Sequence, residues 1–183
     1  MSGLNKVLGI GLPKTGTSSL AKALTNNGIP TLHFGDVVCD EIRMKMYNGI
    51  YTFDVLDSCK GITNAFEMIF PQVDKMYPGS KFIYTIRNKD AWLNSVEKHF
   101  EKYKDNLEHH LITYGTYKFN KDRVSFVYDM HATMVKNYFI NRKNDLLVID
   151  ITKDRAYVHK VCAFLSIPLL DATPLHLNKA RGV

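Results

Sequence analysis

One segment near the amino terminus constrains the fold more than any other part of this chain. An apolar stretch, Lys6–Gly11, runs into a glycine-containing loop, and a helix-forming sequence follows from Thr17. In a strand-loop-helix unit of this kind, the loop amides and the amino end of the helix point at one spot and attract an anion. The segment therefore predicts a phosphate-binding loop on an α/β scaffold.

The side chains of this loop also suit a phosphate. Lys14 adds a full positive charge beside the amides. The other residues predicted to contact the phosphate, four of them hydroxyl donors, are Thr15, Gly16, Thr17, Ser18 and Ser19. Charge and hydroxyl donors thus accompany the converging amides.

The Walker loop of nucleoside triphosphatases fits this segment poorly, since it requires GxxxxGK[ST]. Gly11 and Gly16 have the required gap, but Thr17 stands in the lysine position and Lys14 lies inside the loop. The Walker lysine binds the β- and γ-phosphates, so its displacement argues against a P-loop kinase.

The dinucleotide fingerprint GxGxxG also fits only in part. Gly9 and Gly11 match it, but Lys14 stands where the third glycine should be. Asp36 lies about where a ribose-binding acid would, which keeps this alternative open.

The remaining sequence predicts one α/β domain over residues 1–183, with three α/β/α layers and a mostly parallel sheet. Apolar runs alternate with helical patterns, and two of the runs are apolar nearly throughout, as in strands buried on both faces. The predicted strands are Lys6–Gly11, Pro30–Phe34, Tyr51–Leu56, Lys81–Ile86 and Leu146–Ile151.

Helical spacing predicts four helices. They are expected from Thr17 to Gly28, after an N-cap at Asp90, from about Lys121 to Asn141, and from about Asp154 to Leu165. Residues 105–120 show no clear period and are predicted to form a loop or lid.

Charge and cysteine content indicate which classes of partner and which cellular compartment to expect. The net charge of +6 favours anionic ligands, but the basic residues are mixed with acids, so no nucleic-acid stripe is expected. Three cysteines without a CxxC spacing, and no apolar run of 18 residues, predict a protein of the reducing cytoplasm without a membrane span. The neighbouring His109 and His110 do not face one site on a helix, so no metal site is expected.

At two places the sequence resembles the sulfotransferases that use 3′-phosphoadenosine 5′-phosphosulfate (PAPS). Their phosphosulfate loop reads PK[ST]GT[TS], which Pro13 to Ser18 matches. Their second signature is an arginine at a strand end with a serine eight residues later, matched by Arg87 and Ser95. Weaker likeness extends from about Lys6 to Asn178 and points to the compact, single-domain, P-loop-like members of the group.

This resemblance implies an enzyme that moves a sulfuryl group from PAPS to a hydroxyl or amine, with PAP as the second product. Lys14 would stabilise charge on the leaving phosphate oxygen, beside the loop amides and hydroxyls. Arg87 and Ser95 would hold the 3′-phosphate. The resemblance implies no metal ion, and it suggests a small-molecule or glycan-like acceptor near residues 36–50 and 103–125.

Relatives in this family use a glutamate or a histidine as the base that takes the proton of the acceptor. Here His33 and Asp36 lie 19 and 22 positions after Lys14. His33 ends a predicted strand, and its ordinary pKa suits a base near neutrality, so it is the first candidate. His131 is the second, because it matches a recurrent family histidine and would face inward from the long helix.

Two departures from the family pattern keep other functions open. Much of the group carries an aspartate where this chain has Asn64, and the late RKG segment of the cytosolic members is reduced to Lys179, Arg181 and Gly182. A non-catalytic phosphonucleotide-binding module therefore stays an alternative, as does a P-loop small-molecule or nucleotide kinase.

Overall fold

The central element is a five-stranded parallel sheet. The computed structural model describes residues 6–33 and 36–175, without the side chains of residues 36–40. The strands are β1 (Val7–Gly9), β2 (Thr31–His33), β3 (Gly61–Thr63), β4 (Lys81–Thr85) and β5 (Leu146–Ile149). They pair in the order β2-β3-β1-β4-β5, and every pairing is parallel. The carboxyl ends of all five therefore lie at one edge, with β1 in the middle.

Eight α-helices and a short 3₁₀ helix accompany the sheet in the described residues. They are α1 (Thr17–Asn26), α2 (Asp36–Tyr47), α3 (Val55–Ser58), α4 (Phe70–Met76), α5 (Lys89–Lys102), α6 (Leu107–Tyr114), α7 (Lys121–Tyr138) and α8 (Tyr157–Leu165), with the 3₁₀ helix at Lys143–Asp145.

The helices cover both faces of the sheet, as predicted. Val7 and Ile83 pack with α1 and α8 on one face, and Leu8 and Phe82 pack with α4 and α7 on the other. Neighbouring residues of a strand point to opposite faces, so each strand contributes to both cores. The three-layer α/β/α architecture is confirmed.

The predicted strand at Tyr51–Leu56 is wrong. Asp54 has helical backbone angles and begins α3, and the third strand follows at Gly61–Thr63. That strand is only three residues long. It begins with a glycine because a Cβ at position 61 would lie 2.4 Å from the hydroxyl oxygen of Thr31. A three-residue strand of this composition gives almost no periodic signal.

The predicted loop at residues 105–120 is also wrong, since it contains α6. His110 and Tyr114 form the buried side of α6, while Leu107 and Leu111 are exposed. A polar residue on the buried side and leucines on the outer side hide the helical period. The start of α5 differs as well, because its N-cap is Asn88 and not Asp90. Oδ1 of Asn88 accepts a hydrogen bond from the amide of Ala91.

Candidate functional site

The loop between β1 and α1 is fixed to β4 by a buried pair of threonines, Thr15 and Thr85. The hydroxyl of Thr15 donates to the carbonyl of Leu12 (2.7 Å) and lies 2.7 Å from that of Thr85 on β4. Thr15 is 2% exposed. The hydroxyl of Thr15 is therefore held inside the protein by these two contacts, which fix the shape of the loop.

The two glycines before the loop are required by packing. A Cβ at Gly11 would lie 2.0 Å from the hydroxyl oxygen of Thr85, and one at Gly9 would lie 2.7 Å from Cγ2 of Thr63. The partial dinucleotide fingerprint thus has a structural cause, namely the close approach of β1 to β3 and β4.

The ligand side of the loop is positive. Lys14 (φ 73°) and Gly16 (φ 103°) take left-handed conformations where the loop turns into α1. Among the described residues no side chain caps α1, and its first turn holds no acidic residue. Burial lowers the pKa of Lys14, the charges of Arg87 and Lys102 lower it further, and Tyr103 opposes them. A bound anion would stabilise the charged form of this lysine.

Arg87, from the second sequence signature, contacts the loop that carries the first signature. Arg87 follows β4, and its Nη1 donates to the carbonyl of Lys14 at 3.1 Å, across 73 residues of chain. The hydroxyl of Tyr128 donates to the carbonyl of Arg87 (2.6 Å), and buried Trp92 donates from Nε1 to the carbonyl of Pro13 (2.8 Å). Arg87 is thus fixed beside the loop.

Ser95 shares α5 with Trp92 and lies half-buried one turn farther along. Since Trp92 anchors α5 to the loop, Ser95 lies on a helix that is fixed beside the loop. Trp92 itself is fully buried and belongs to the core.

His33 ends β2 at the same edge of the sheet and is in contact with the loop helix. Its Nε2 lies 3.0 Å from Oγ of Ser18, and its Nδ1 lies 2.8 Å from Oγ1 of Thr63. Desolvation by the surrounding protein lowers the pKa of His33, although part of the ring is exposed. The neutral, basic form of the ring is therefore favoured near neutral pH. The side chain of Asp36 lies outside the described residues.

His131 lies in the core. It is fully buried, its Nε2 is 2.9 Å from the carbonyl of Glu67, and its ring meets those of Phe70 and Tyr84 edge-on. Burial lowers its pKa to about 4. These contacts are those of a structural histidine, so His33 is kept as the candidate base.

The two segments predicted to bind the acceptor contact each other. Glu108 of α6 forms an ion pair with Arg43 of α2 (2.9 Å) and accepts a hydrogen bond from Tyr47 (2.9 Å). Tyr103, the first residue of the second segment, lies close enough to Lys14 to act on its pKa, and burial and then the charge of Lys14 lower the pKa of His99, one turn before Tyr103, to about 4. The second segment therefore begins beside Lys14, and the first segment is joined to it through Glu108.

The position of the missing family aspartate has unusual features. Asn64 directly follows Thr63 with a φ of 61°, and its Oδ1 is buried without a hydrogen-bond partner among the described residues. Three residues later, Glu67 is 5% exposed, and burial raises its pKa to about 7. Glu67 is a buried carboxyl that the sequence analysis did not single out, since a lone glutamate carries no motif.

The described part of the chain shows neither a cluster of metal ligands nor a membrane-spanning helix. Within residues 6–33 and 36–175, His, Cys, Asp and Glu form no group of three or more able to hold a metal ion. Nor does that part of the chain contain a helix with the length and apolarity needed to cross a membrane.

The fold and the loop define a class, an α/β protein with a P-loop-like fold whose glycine-containing loop lies at the carboxyl edge of a parallel sheet. The sulfotransferase domain family matches residues 6–117, and the chain belongs to that family. A solved structure titled as a sulfotransferase from Alicyclobacillus acidocaldarius superposes with a TM-score of 0.64 at 18% identity, over 96% of this chain and 85% of that one. No curated protein sequence matches the chain.

Proposed function

We propose that this protein is a PAPS-dependent sulfotransferase that sulfates a hydroxyl or amine of a small-molecule or glycan-like acceptor. The observation that carries the proposal is the hydrogen bond from Arg87 to the carbonyl of Lys14 (3.1 Å). It joins a loop built for one phosphate to an arginine able to hold a second, and PAPS differs from ATP in bearing a 3′-phosphate apart from its 5′ chain.

The residues present fit this donor. The uncapped amino end of α1, the hydroxyls of Thr17, Ser18 and Ser19, and the ammonium of Lys14 would hold the 5′-phosphosulfate. Arg87 and Ser95 would hold the 3′-phosphate. When bound, PAPS supplies an activated sulfuryl group with a phosphate leaving group.

The chain's own groups divide the remaining work. Lys14 would stabilise charge on the phosphate oxygen that is released, because an ammonium in a half-buried site acts strongly on nearby charge. His33 would accept the proton of the acceptor at Nε2, since its lowered pKa keeps the ring unprotonated near neutral pH. We assign no metal ion to the reaction and place the activity in the cytoplasm.

An acceptor screen with PAPS tests the proposal. Purified protein is incubated with PAPS and pools of alcohols, phenols, amines and sugars, and PAP release is measured with and without each pool. Acceptor-dependent PAP release that is lost in Lys14→Ala supports the proposal. Tight PAP binding without transfer to any pool would favour a phosphonucleotide-binding module, and magnesium-dependent ATP turnover would favour a kinase.

A further inference from the structure

We propose that Thr63 fixes the tautomer of His33 by accepting a hydrogen bond from Nδ1. In the same arrangement the hydroxyl of Ser18 donates to Nε2, the basic nitrogen, until a phosphate bound in the loop accepts the Ser18 hydrogen bond instead. The proposal rests on the proposed function, because it treats His33 as the base of the reaction. It makes Thr63 a positioning residue and links the availability of the base to occupation of the phosphate site.

The sheet register places these groups side by side. His33 on β2 and Gly9 on β1 both pair with Thr63 on the strand between them. Thr63 has no exposed surface, and its methyl group occupies the space left open at Gly9. Its hydroxyl is thereby directed to Nδ1 of His33 at 2.8 Å. The threonine is rigid, so it can hold the imidazole in one orientation.

The three groups form a chain of hydrogen bonds that can run in only two directions. A neutral imidazole has one donor nitrogen and one acceptor nitrogen. Either Nδ1 donates to Thr63 and Nε2 accepts from Ser18, or Thr63 donates to Nδ1 and Nε2 donates to Ser18. Only the first direction leaves Nε2 as the basic nitrogen, which is the one that lies 3.0 Å from Ser18 at the phosphate loop.

A phosphate bound in the loop would compete with His33 for the hydroxyl of Ser18. Ser18 is the second residue of α1, at the end where an anion would bind. A single hydroxyl proton serves one strong acceptor at a time, and a phosphate oxygen is a stronger one than a neutral imidazole. With the phosphate site filled, Nε2 no longer accepts the hydrogen bond of Ser18 and can take the proton of the acceptor substrate. Without PAPS in the loop, the Ser18 hydroxyl stays hydrogen-bonded to Nε2 and the base is not available.

Nitrogen-15 NMR of the histidine rings tests both halves of this proposal. In the ligand-free protein, the His33 ring, assigned by comparison with His33→Gln, should carry its proton on Nδ1. Thr63→Val has nearly the same shape but no hydroxyl, and should shift His33 towards the tautomer protonated on Nε2, whereas Thr63→Ser should restore the wild-type spectrum. Thr31→Val on β2, whose hydroxyl donates to the carbonyl of Ile29, is the matched control and should change nothing.

Saturation with PAP should move the Nε2 resonance of wild-type His33, and ligand-free Ser18→Ala should already show the shifted value. In turnover, Thr63→Val should lower kcat on the order of tenfold with little change in the KM for PAPS, because one positioning hydrogen bond is lost.

Three results would overturn the proposal. They are a wild-type proton on Nε2, identical His33 spectra for wild type and Thr63→Val, and an unmoved Nε2 resonance when calorimetry on the same sample shows PAP bound. If PAP does not bind at all, the proposed function fails together with the Ser18 half, while the ligand-free spectra still decide the role of Thr63.

Discussion

Replacing Arg87 by alanine separates the two tasks that the structure gives this side chain. Its Nη1 donates to the carbonyl of Lys14, and within residues 6–33 and 36–175 it forms no ion pair, so we expect its charge to meet the 3′-phosphate of PAP. A charge-assisted hydrogen bond contributes about 1.5–3 kcal/mol, and about 1.4 kcal/mol is a factor of ten. Affinity for PAP should therefore fall on the order of ten- to a hundredfold.

ADP lacks the 3′-phosphate, so it reports on the loop alone. Water can reach the half-buried carbonyl of Lys14 once Arg87 is shortened, so ADP should weaken by roughly threefold or less. Isothermal titration calorimetry of both nucleotides with both proteins measures the difference directly.

Lys89→Ala is the matched control for loss of charge. Lys89 lies two residues away and is paired with Asp129 at 2.6 Å. At physiological salt its removal should change PAP affinity by about twofold or less, because Asp129 already compensates its charge and salt screens the remainder. Equal losses of PAP and ADP affinity in Arg87→Ala would refute the assignment of the 3′-phosphate to Arg87. Equal losses of PAP affinity in Arg87→Ala and Lys89→Ala would mean that Arg87 acts only through the net charge of the protein.

Three further predictions follow from the loop and the core. Lys14→Ala should lower kcat at least tenfold more than it lowers PAP affinity, because charge develops only as the sulfuryl group leaves; an unchanged kcat would remove Lys14 from the mechanism. Trp92→Phe should lower the free energy of unfolding in urea by about 1–3 kcal/mol, because the buried carbonyl of Pro13 loses its donor; an unchanged urea midpoint would contradict this. His131 should lower the free energy of unfolding as the pH drops from about 6.5 towards 4, because unfolded His131 takes up a proton that the folded ring, with a pKa of about 4, refuses. His99 acts in the same direction and Glu67 in the opposite one, so the prediction concerns the difference between wild type and His131→Gln. The variant should lose less stability over this pH range than wild type, and identical pH slopes for the two proteins would contradict the assignment.

The sequence predicted the parts of the fold that have a strong local pattern. β1, β4 and α1 lie where their apolar runs and glycines indicate, and Gly28 ends α1 with a φ of 84°. β3 was missed because three residues beginning with glycine carry no period, and its placement depends on how closely β2 and β1 can approach it.

The site was predictable to the same extent. The motifs identified Lys14 and Arg87, but the bond between them needs the sheet order that puts β4 beside β1. Thr63 could not be found from the sequence, because its role comes from pairing with His33 across two strands that lie 30 residues apart in the chain.

Calorimetric titration of the purified protein with PAP, with ADP and ATP-magnesium in parallel, tests the central claim most directly. The two phosphate elements joined at Lys14 and Arg87 predict micromolar or tighter binding of PAP, and binding of ADP weaker by tenfold or more. Preference for ATP-magnesium, or no binding of PAP, would contradict the account.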